Sequence, residues 1–278
     1  MTKSGGNGDR GSGDTNGKSK ADGTLTKSFN TVRIKDIRIK HKYQEPAVHA
    51  LQTGEPLTLV TGTAGSGKTY MAVWAAMKAL QEKKVQKVVL TRPAVEAAGE
   101  NLGFLPGTER EKLFPYMQPF FHILEELGFQ RPQITEMMDK GILEIAPIAF
   151  MRGRTFQKAF IICDEAQNAT EAQIRLVYSR LGGRSQVAFT GDPTQSDLPV
   201  EPGDDNAFEK FAAFLERNSI GQVVRIPPGS PTYRHEYIEK IERAALAERE
   251  ALEAEHRHGG DPAHNGQPHA GAETSEPA

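Results

Sequence analysis

Gly62-Thr63-Ala64-Gly65-Ser66-Gly67-Lys68-Thr69, reading GTAGSGKT, fits G-x-x-x-x-G-K-[ST] at every fixed position and directly follows the apolar stretch Leu57 to Val60. That spacing is a phosphate cradle. Glycines let the backbone turn into a concave nest whose N–H groups face one point, and the helix that follows aims the positive end of its dipole at the same place. Apolar run, glycine-rich turn and helix form one unit of an α/β fold, so the rest of the chain is searched for more such units.

They are present between about residues 30 and 252. Strand-like runs at Leu57 to Thr61, Lys87 to Thr91, Leu143 to Pro147, Phe160 to Cys163, Gln186 to Thr190 and Gln222 to Ile226 alternate with helical patterns. The helices are expected at Thr69 to Lys83, Glu109 to Leu127, Gln133 to Lys140, Glu171 to Leu181 and Asn206 to Arg217, with a last amphipathic one from near Tyr233 towards Ala251. Such alternation predicts a parallel sheet covered by helices on both faces, one core of roughly two hundred residues. Upstream, Val32, Ile34, Ile37 and Ile39 interleave with Arg33, Lys35, Arg38 and Lys40, which reads as an edge strand with a basic outer face. Such a face either meets phosphates or protects an edge by charge.

Outside this core the chain changes character. Residues 1–29 are Gly, Ser, Asp and Lys with almost nothing apolar, and residues 253–278 are similar with scattered histidines, so both are expected to be disordered tails. The histidines have no carboxylate or cysteine at ligand spacing, which favours a solvated end over a metal site. Net charge is −2 for 34 basic and 36 acidic residues, which argues against wholesale binding to nucleic acid or anionic membrane while leaving a local basic face open. A single cysteine, Cys163, forbids an intrachain disulfide, and no secretion-like segment is present, so a cytoplasmic location is expected. No apolar run approaches the ~20 residues needed to cross a bilayer.

The residues for chemistry follow from the cradle. Phe160-Ile161-Ile162-Cys163-Asp164-Glu165 is a buried-strand pattern ending in two carboxylates. In P-loop enzymes Mg²⁺ is held by the cradle hydroxyl and by an Asp ending such a strand, here Thr69 and Asp164. Glu165, next in line, is the candidate base for the attacking water. The following strand opens into Gly191-Asp192-Pro193-Thr194-Gln195, where an Asx-type turn would set Gln195 beside the γ-phosphate, its amide able both to donate and to accept. An arginine is also expected, since an added guanidinium raises phosphoryl-transfer rates by ~10³ to 10⁵. Arg152, Arg154, Arg180 and Arg234 are the candidates. Gln44, in KHKYQEPAV ahead of the cradle, either bonds adenine through its amide or starts a helix without touching a ligand.

Four ordered motifs carry a family resemblance: GTAGSGKTYMA at Gly62 to Ala72, TRPAVEAAGENLGFLPG at Thr91 to Gly107, APIAFMRGRTFQKAFIICDEAQNAT at Ala146 to Thr170, and TGDPTQSDLP at Thr190 to Pro199. With these the chain resembles the PhoH-type ATPases, whose core is similar to the first motor domain of superfamily-1 helicases. The resemblance implies a P-loop NTPase with a RecA-like parallel sheet, ATP and Mg²⁺ as ligands, and a role in RNA metabolism or phosphate stress. It places Gly62, Thr63, Ala64, Gly65, Ser66, Gly67, Lys68, Thr69 and Tyr70 around the nucleotide, with Gln44 nearby. It gives Lys68, Glu165, Gln195 and Arg234 catalytic parts and Thr69 and Asp164 the metal, Arg234-His235 matching an Arg-His pair late in the family. In place of the further N-terminal domain of some relatives, only the Gly/Ser-rich tail is expected.

Helicase-type motors close each site between two cores, and one core is legible here. A homo-oligomer, in ring form if closed, is therefore expected, with Arg234 acting on the neighbour's ATP and single-stranded RNA held partly by the insertion Ala94 to Phe129. The rival readings are a nucleotide-dependent switch that docks a protein partner, and a kinase. Glu165, placed for water, argues against the second.

Overall fold

The computed structural model describes residues 29, 32–93, 109–199 and 204–231, and positions 240, 241, 244, 247 and 248. Six parallel strands form one sheet in the order β3-β2-β4-β5-β1-β6. They are β1 (Leu57–Thr61), β2 (Lys87–Thr91), β3 (Leu143–Ile145), β4 (Ala159–Cys163), β5 (Gln186–Gly191) and β6 (Gln222–Arg225). The central strands are buried along their whole length, which is why AFIIC in β4 is apolar throughout and does not alternate.

Helices α1 (Glu45–Gln52), α2 (Lys68–Gln81), α3 (Glu109–Glu126), α4 (Arg131–Asp139), α5 (Glu171–Tyr178) and α6 (Ala207–Asn218) surround the sheet. One face buries Leu80, Leu124 and Phe160 with α2, α3 and α4, and the other buries Val177, Phe189 and Phe208 with α5 and α6. The six strands expected between Leu57 and Ile226 and the five helices expected between Thr69 and Arg217 are present, with shifted ends. Helix α4 starts at Arg131 because Gln130 and Gln133 form a reciprocal capping box. Helix α5 stops at Tyr178, where the chain turns so that Leu181 can bridge Phe156. Helix α1, with Pro46 in its first turn, is not among the elements read from periodicity. In the last expected helix the described positions between 240 and 248 are helical; its start near Tyr233 lies outside the described residues.

Two readings of the N-terminal region change. Residues 32–40 form no strand, and β3 and β6 are the edges of the sheet. The segment is a strap across the helices: Val32 and Ile34 are buried, Trp74 Nε1 donates to Lys35 O at 3.1 Å, and Gln81 Nε2 donates to Val32 O at 3.0 Å. Alternation of apolar and basic residues produced the strand pattern, but side chains of α2 supply the hydrogen bonds that a neighbouring strand would have made. Phe29, assigned by composition to the tail, is 1% exposed and stacks on Phe129 at 5.7 Å between ring centroids. The rest of that tail, residues 1–28, and the C-terminal one from 253 lie outside the described residues. Phe29→Ala is expected to cost about 3 kcal/mol, as truncation of a buried ring does. Thermal unfolding checks this, since an unchanged melting temperature would place Phe29 outside the core.

Candidate nucleotide site

The site is built where consecutive parallel strands end at the same level. Thr61 of β1 is in register with Gly191 of β5, and Thr91 of β2 with Cys163 of β4. The next residues, Gly62, Asp192, Arg92 and Asp164, therefore emerge together at the carboxyl edge, where α/β sheets bind ligands. Strand β5 lies between β1 and β4, so its loop stands between the cradle and the acid pair.

The cradle has the expected form. Gly65 and Gly67 adopt φ of 78° and 87°, conformations that a side chain resists, and Gly67 caps α2. A Cβ at Gly62 would sit 2.7 Å from Ile226 Cβ, so only glycine fits between β1 and β6. Lys68 is 9% exposed, and its ammonium donates to Gly62 O at 2.7 Å and Thr63 O at 2.9 Å, which folds the side chain over the loop. Gly65, Gly67, Lys68, Thr69 and Tyr70 line a pocket of about 490 Å³. The first N–H groups of a helix have no intrahelical carbonyl to bond, so the start of α2 is open to an anion there. Gly62, Thr63 and Ser66 lie behind the pocket wall and shape it: Ser66 Oγ donates to Thr63 O at 2.7 Å, and Thr63 Oγ1 is buried with no hydrogen-bond partner among the described residues.

Asp164, 2% exposed, is the hub of the acid side. Its Oδ1 accepts from Thr69 Oγ1 at 2.8 Å and from Thr190 Oγ1 at 2.6 Å, so the two expected metal ligands already touch. Two oxygen donors, one a carboxylate, suit a hard cation that draws its remaining ligands from phosphate and water, and the residues therefore fit Mg²⁺. Glu165 is in the left-handed region (φ 53°, ψ 38°), a strained backbone for a residue with a side chain. Its carboxylate is gripped on both sides: Gln167 Nε2 donates to Oε2 at 2.6 Å, and Arg92 Nη2 lies 3.6 Å from Oε1.

The expected Asx turn is present. Asp192 Oδ1 accepts from Thr194 N at 3.0 Å and Thr194 Oγ1 at 2.7 Å, and the resulting 3₁₀ turn Pro193–Gln195 carries Gln195 to the pocket rim. Asp192 Oδ2 also accepts from Ala64 N at 2.8 Å, tying this loop to the cradle. The loop is joined to the acid side as well, because Gln167 Oε1 accepts from Asp192 N at 3.0 Å, and Asn168 and Asp197 bond reciprocally. A Cβ at Gly191 would meet Gln167 Oε1 at 2.8 Å, so glycine is required for that closeness.

Other expected residues are placed elsewhere. Gln44 is buried, and both ends of its amide serve the backbone: Oε1 accepts from Lys40 N and Nε2 donates to Ser66 O, each at 2.9 Å. It braces the cradle from behind, and this geometry lends no support to an adenine contact. Arg154 pairs with Glu144 and covers the Phe156 ring, while Arg180 donates to Leu176 O and Arg154 O, so neither lines the pocket. Arg152 is exposed and lines no part of it either. Arg234 lies outside the described residues. Arg92, Gln167 and Asp192 were not read as site residues; the signal for Arg92 was its place after an apolar strand run, like that of Asp164. Arg38 of the strap and Ile123 and Glu126 of α3 complete the far wall, which no linear pattern announces. Among the described residues no helix is long and apolar enough to cross a membrane.

The family model described as "PhoH: PhoH-like protein" matches residues 36–245. The chain is similar to a PhoH-like protein of Bacillus subtilis (strain 168), 48% identical over 166 residues covering 59% of this chain and 51% of the relative. It is also similar to Protein PhoH of Escherichia coli (strain K12), 44% identical over 172 residues covering 60% and 48%. The chain thus spans about half the length of these relatives. Among solved structures it is similar to the Sulfolobus solfataricus SWI2/SNF2 ATPase core in complex with dsDNA, at 15% identity and a TM-score of 0.43, covering 74% of this chain and 47% of the other. With its cradle, acid pair and sheet assembled at one edge and three-quarters of its length matched, the chain belongs to the PhoH-like protein family.

Proposed function

We propose that the protein hydrolyses ATP to ADP and phosphate with Mg²⁺, and that turnover is coupled to single-stranded RNA. The observation that supports this most is the meeting of Lys68, Thr69, Asp164, Glu165 and Gln195 around one pocket of about 490 Å³. The cradle N–H groups and Lys68 bind and orient the triphosphate. Thr69 and Asp164 would hold Mg²⁺, which when bound neutralises charge developing on the β- and γ-phosphate oxygens. Glu165 takes the proton of the attacking water, and Gln195, by accepting from that water and donating to the γ-phosphate, lines the two up. Gln167 keeps Glu165 aimed.

Coupling to RNA is supported by the exposed cations Arg33, Lys35 and Lys40, which flank pocket-lining Arg38 along the strap. With Arg154 and Arg180 engaged elsewhere, Arg152 and Arg234 remain as finger candidates, and the Arg-His match favours Arg234, acting across a homo-oligomer interface on the neighbour's ATP. A cytoplasmic location goes with this reading. Phosphate release by the wild-type protein with Mg²⁺, with and without single-stranded RNA, tests it. Free phosphate, stimulation by RNA and a specific rate that rises with protein concentration are expected. Failure to retain or cleave ATP overturns the reading, and turnover indifferent to RNA but changed by a protein partner assigns the site to a switch.

A further inference from the structure

We propose that Arg92 is a positioning residue that holds Asp164 and Glu165 and competes with a divalent cation for Asp164. The inference rests on the reading of this pocket as an Mg²⁺–ATP site. Register places the residue after Thr91 beside the one after Cys163, so the end of β2 delivers a guanidinium onto the end of β4. Arg92 Nη2 donates to Asp164 Oδ2 at 2.8 Å and lies 3.6 Å from Glu165 Oε1. The other oxygen of Asp164 is already occupied by two hydroxyl donors, from Thr69 and Thr190. Oδ2 is thus the oxygen whose charge Arg92 answers, and a carboxylate this deeply buried without a counter-charge is heavily penalised.

Two further observations mark this contact as an exchangeable one. Arg92 Nε is buried with no hydrogen-bond partner among the described residues, whereas an arginine in a finished structural pairing uses its planar fork bidentately. The guanidinium carbon also lies 5.9 Å from the centre of the Phe120 ring, a second favourable seat for a cation. When a divalent cation neutralises Asp164, the guanidinium loses its partner there and keeps the ring. Until then its positive charge stands against metal entry.

The direction of the effect separates this role from a purely structural one, because damage to the site weakens metal binding while removal of a competitor strengthens it. Binding of Mn²⁺ to nucleotide-free protein is read from loss of the free-ion electron paramagnetic resonance signal. ATP retention is measured on the same preparations. Arg92→Gln is expected to bind Mn²⁺ about tenfold more tightly than wild type, the change that loss of one adjacent charge produces. Arg92→Met, which keeps the stem against Phe120, should behave the same way and serves if the glutamine variant does not fold. Arg92→Lys retains the charge and is expected to restore the weaker, wild-type affinity. Equal or weaker Mn²⁺ binding in the neutral variants, with ATP still retained by wild type, overturns the inference alone. Wild type that retains no ATP overturns the ATPase reading and this inference with it.

Discussion

Glu165→Gln is expected to lower the rate of ATP hydrolysis by about 10²- to 10⁴-fold, the contribution of a positioned general base, while leaving ATP bound. Glutamine has nearly the same volume and can still accept from Gln167 through its carbonyl oxygen, so the pocket should keep its shape. What it lacks is the ability to take a proton from water. The cradle is untouched, as are Lys68, Thr69 and Asp164, and affinity for the triphosphate should therefore survive. Retained, uncleaved ATP is expected to hold the subunits in their nucleotide-bound assembly, so that the variant sediments as an oligomer. Single-turnover phosphate release alongside binding of a fluorescent ATP analogue separates the two quantities. A variant that hydrolyses within a few-fold of wild type would remove Glu165 from the mechanism. Its left-handed backbone and its grip by Gln167 and Arg92 would then require another explanation.

Lys68→Ala acts at the opposite step. Lys68 is 9% exposed, and its ammonium is folded over the loop carbonyls of Gly62 and Thr63. Alanine removes a charge-assisted contact worth about 1.5–3 kcal/mol, so ATP affinity should fall roughly 10- to 150-fold. Hydrolysis should become undetectable, because the same charge is needed when negative charge spreads over the γ-phosphate oxygens. The two loop carbonyls, which lie behind the pocket wall, lose their donor, so the melting temperature should fall by a few degrees. Isothermal titration with ATP and Mg²⁺ measures the first effect and calorimetric unfolding the second. If affinity is unchanged, the phosphates do not lie in this cradle. The pair of variants thus divides binding from cleavage.

Much of this site was legible before any coordinates. Glycine, lysine and threonine at fixed spacing act through backbone geometry that is local to eight residues, and the acid pair announces itself by ending a fully apolar run. The four inner strands were legible for a similar reason: their five to six residues are mostly buried and mostly apolar whichever strand they adjoin. Where pattern misled, a long-range contact decided. The alternation at residues 32–40 has the period of a strand, yet Trp74 and Gln81 take its carbonyl hydrogen bonds and make it a strap. For Gln44, whose amide suits either a base or a helix start, the structure adds what its sequence does not carry: hydrogen bonds to the backbone of Lys40 and Ser66. Phe29 stands among tail-like residues and is held by a ring a hundred positions away.

By itself the amino-acid order determined that this chain builds a phosphate cradle, an acid pair at a strand end and a parallel sheet, since each is signalled by residues within one turn or one strand. Only the tertiary structure decided who stands beside whom. Placing β5 between β1 and β4 brings Asp192 to the cradle and to Gln167, and placing β2 against β4 brings Arg92 to Asp164. Strand order is set by how the helices pack over both faces, a sum of many weak apolar contacts between distant segments that no short stretch of sequence contains.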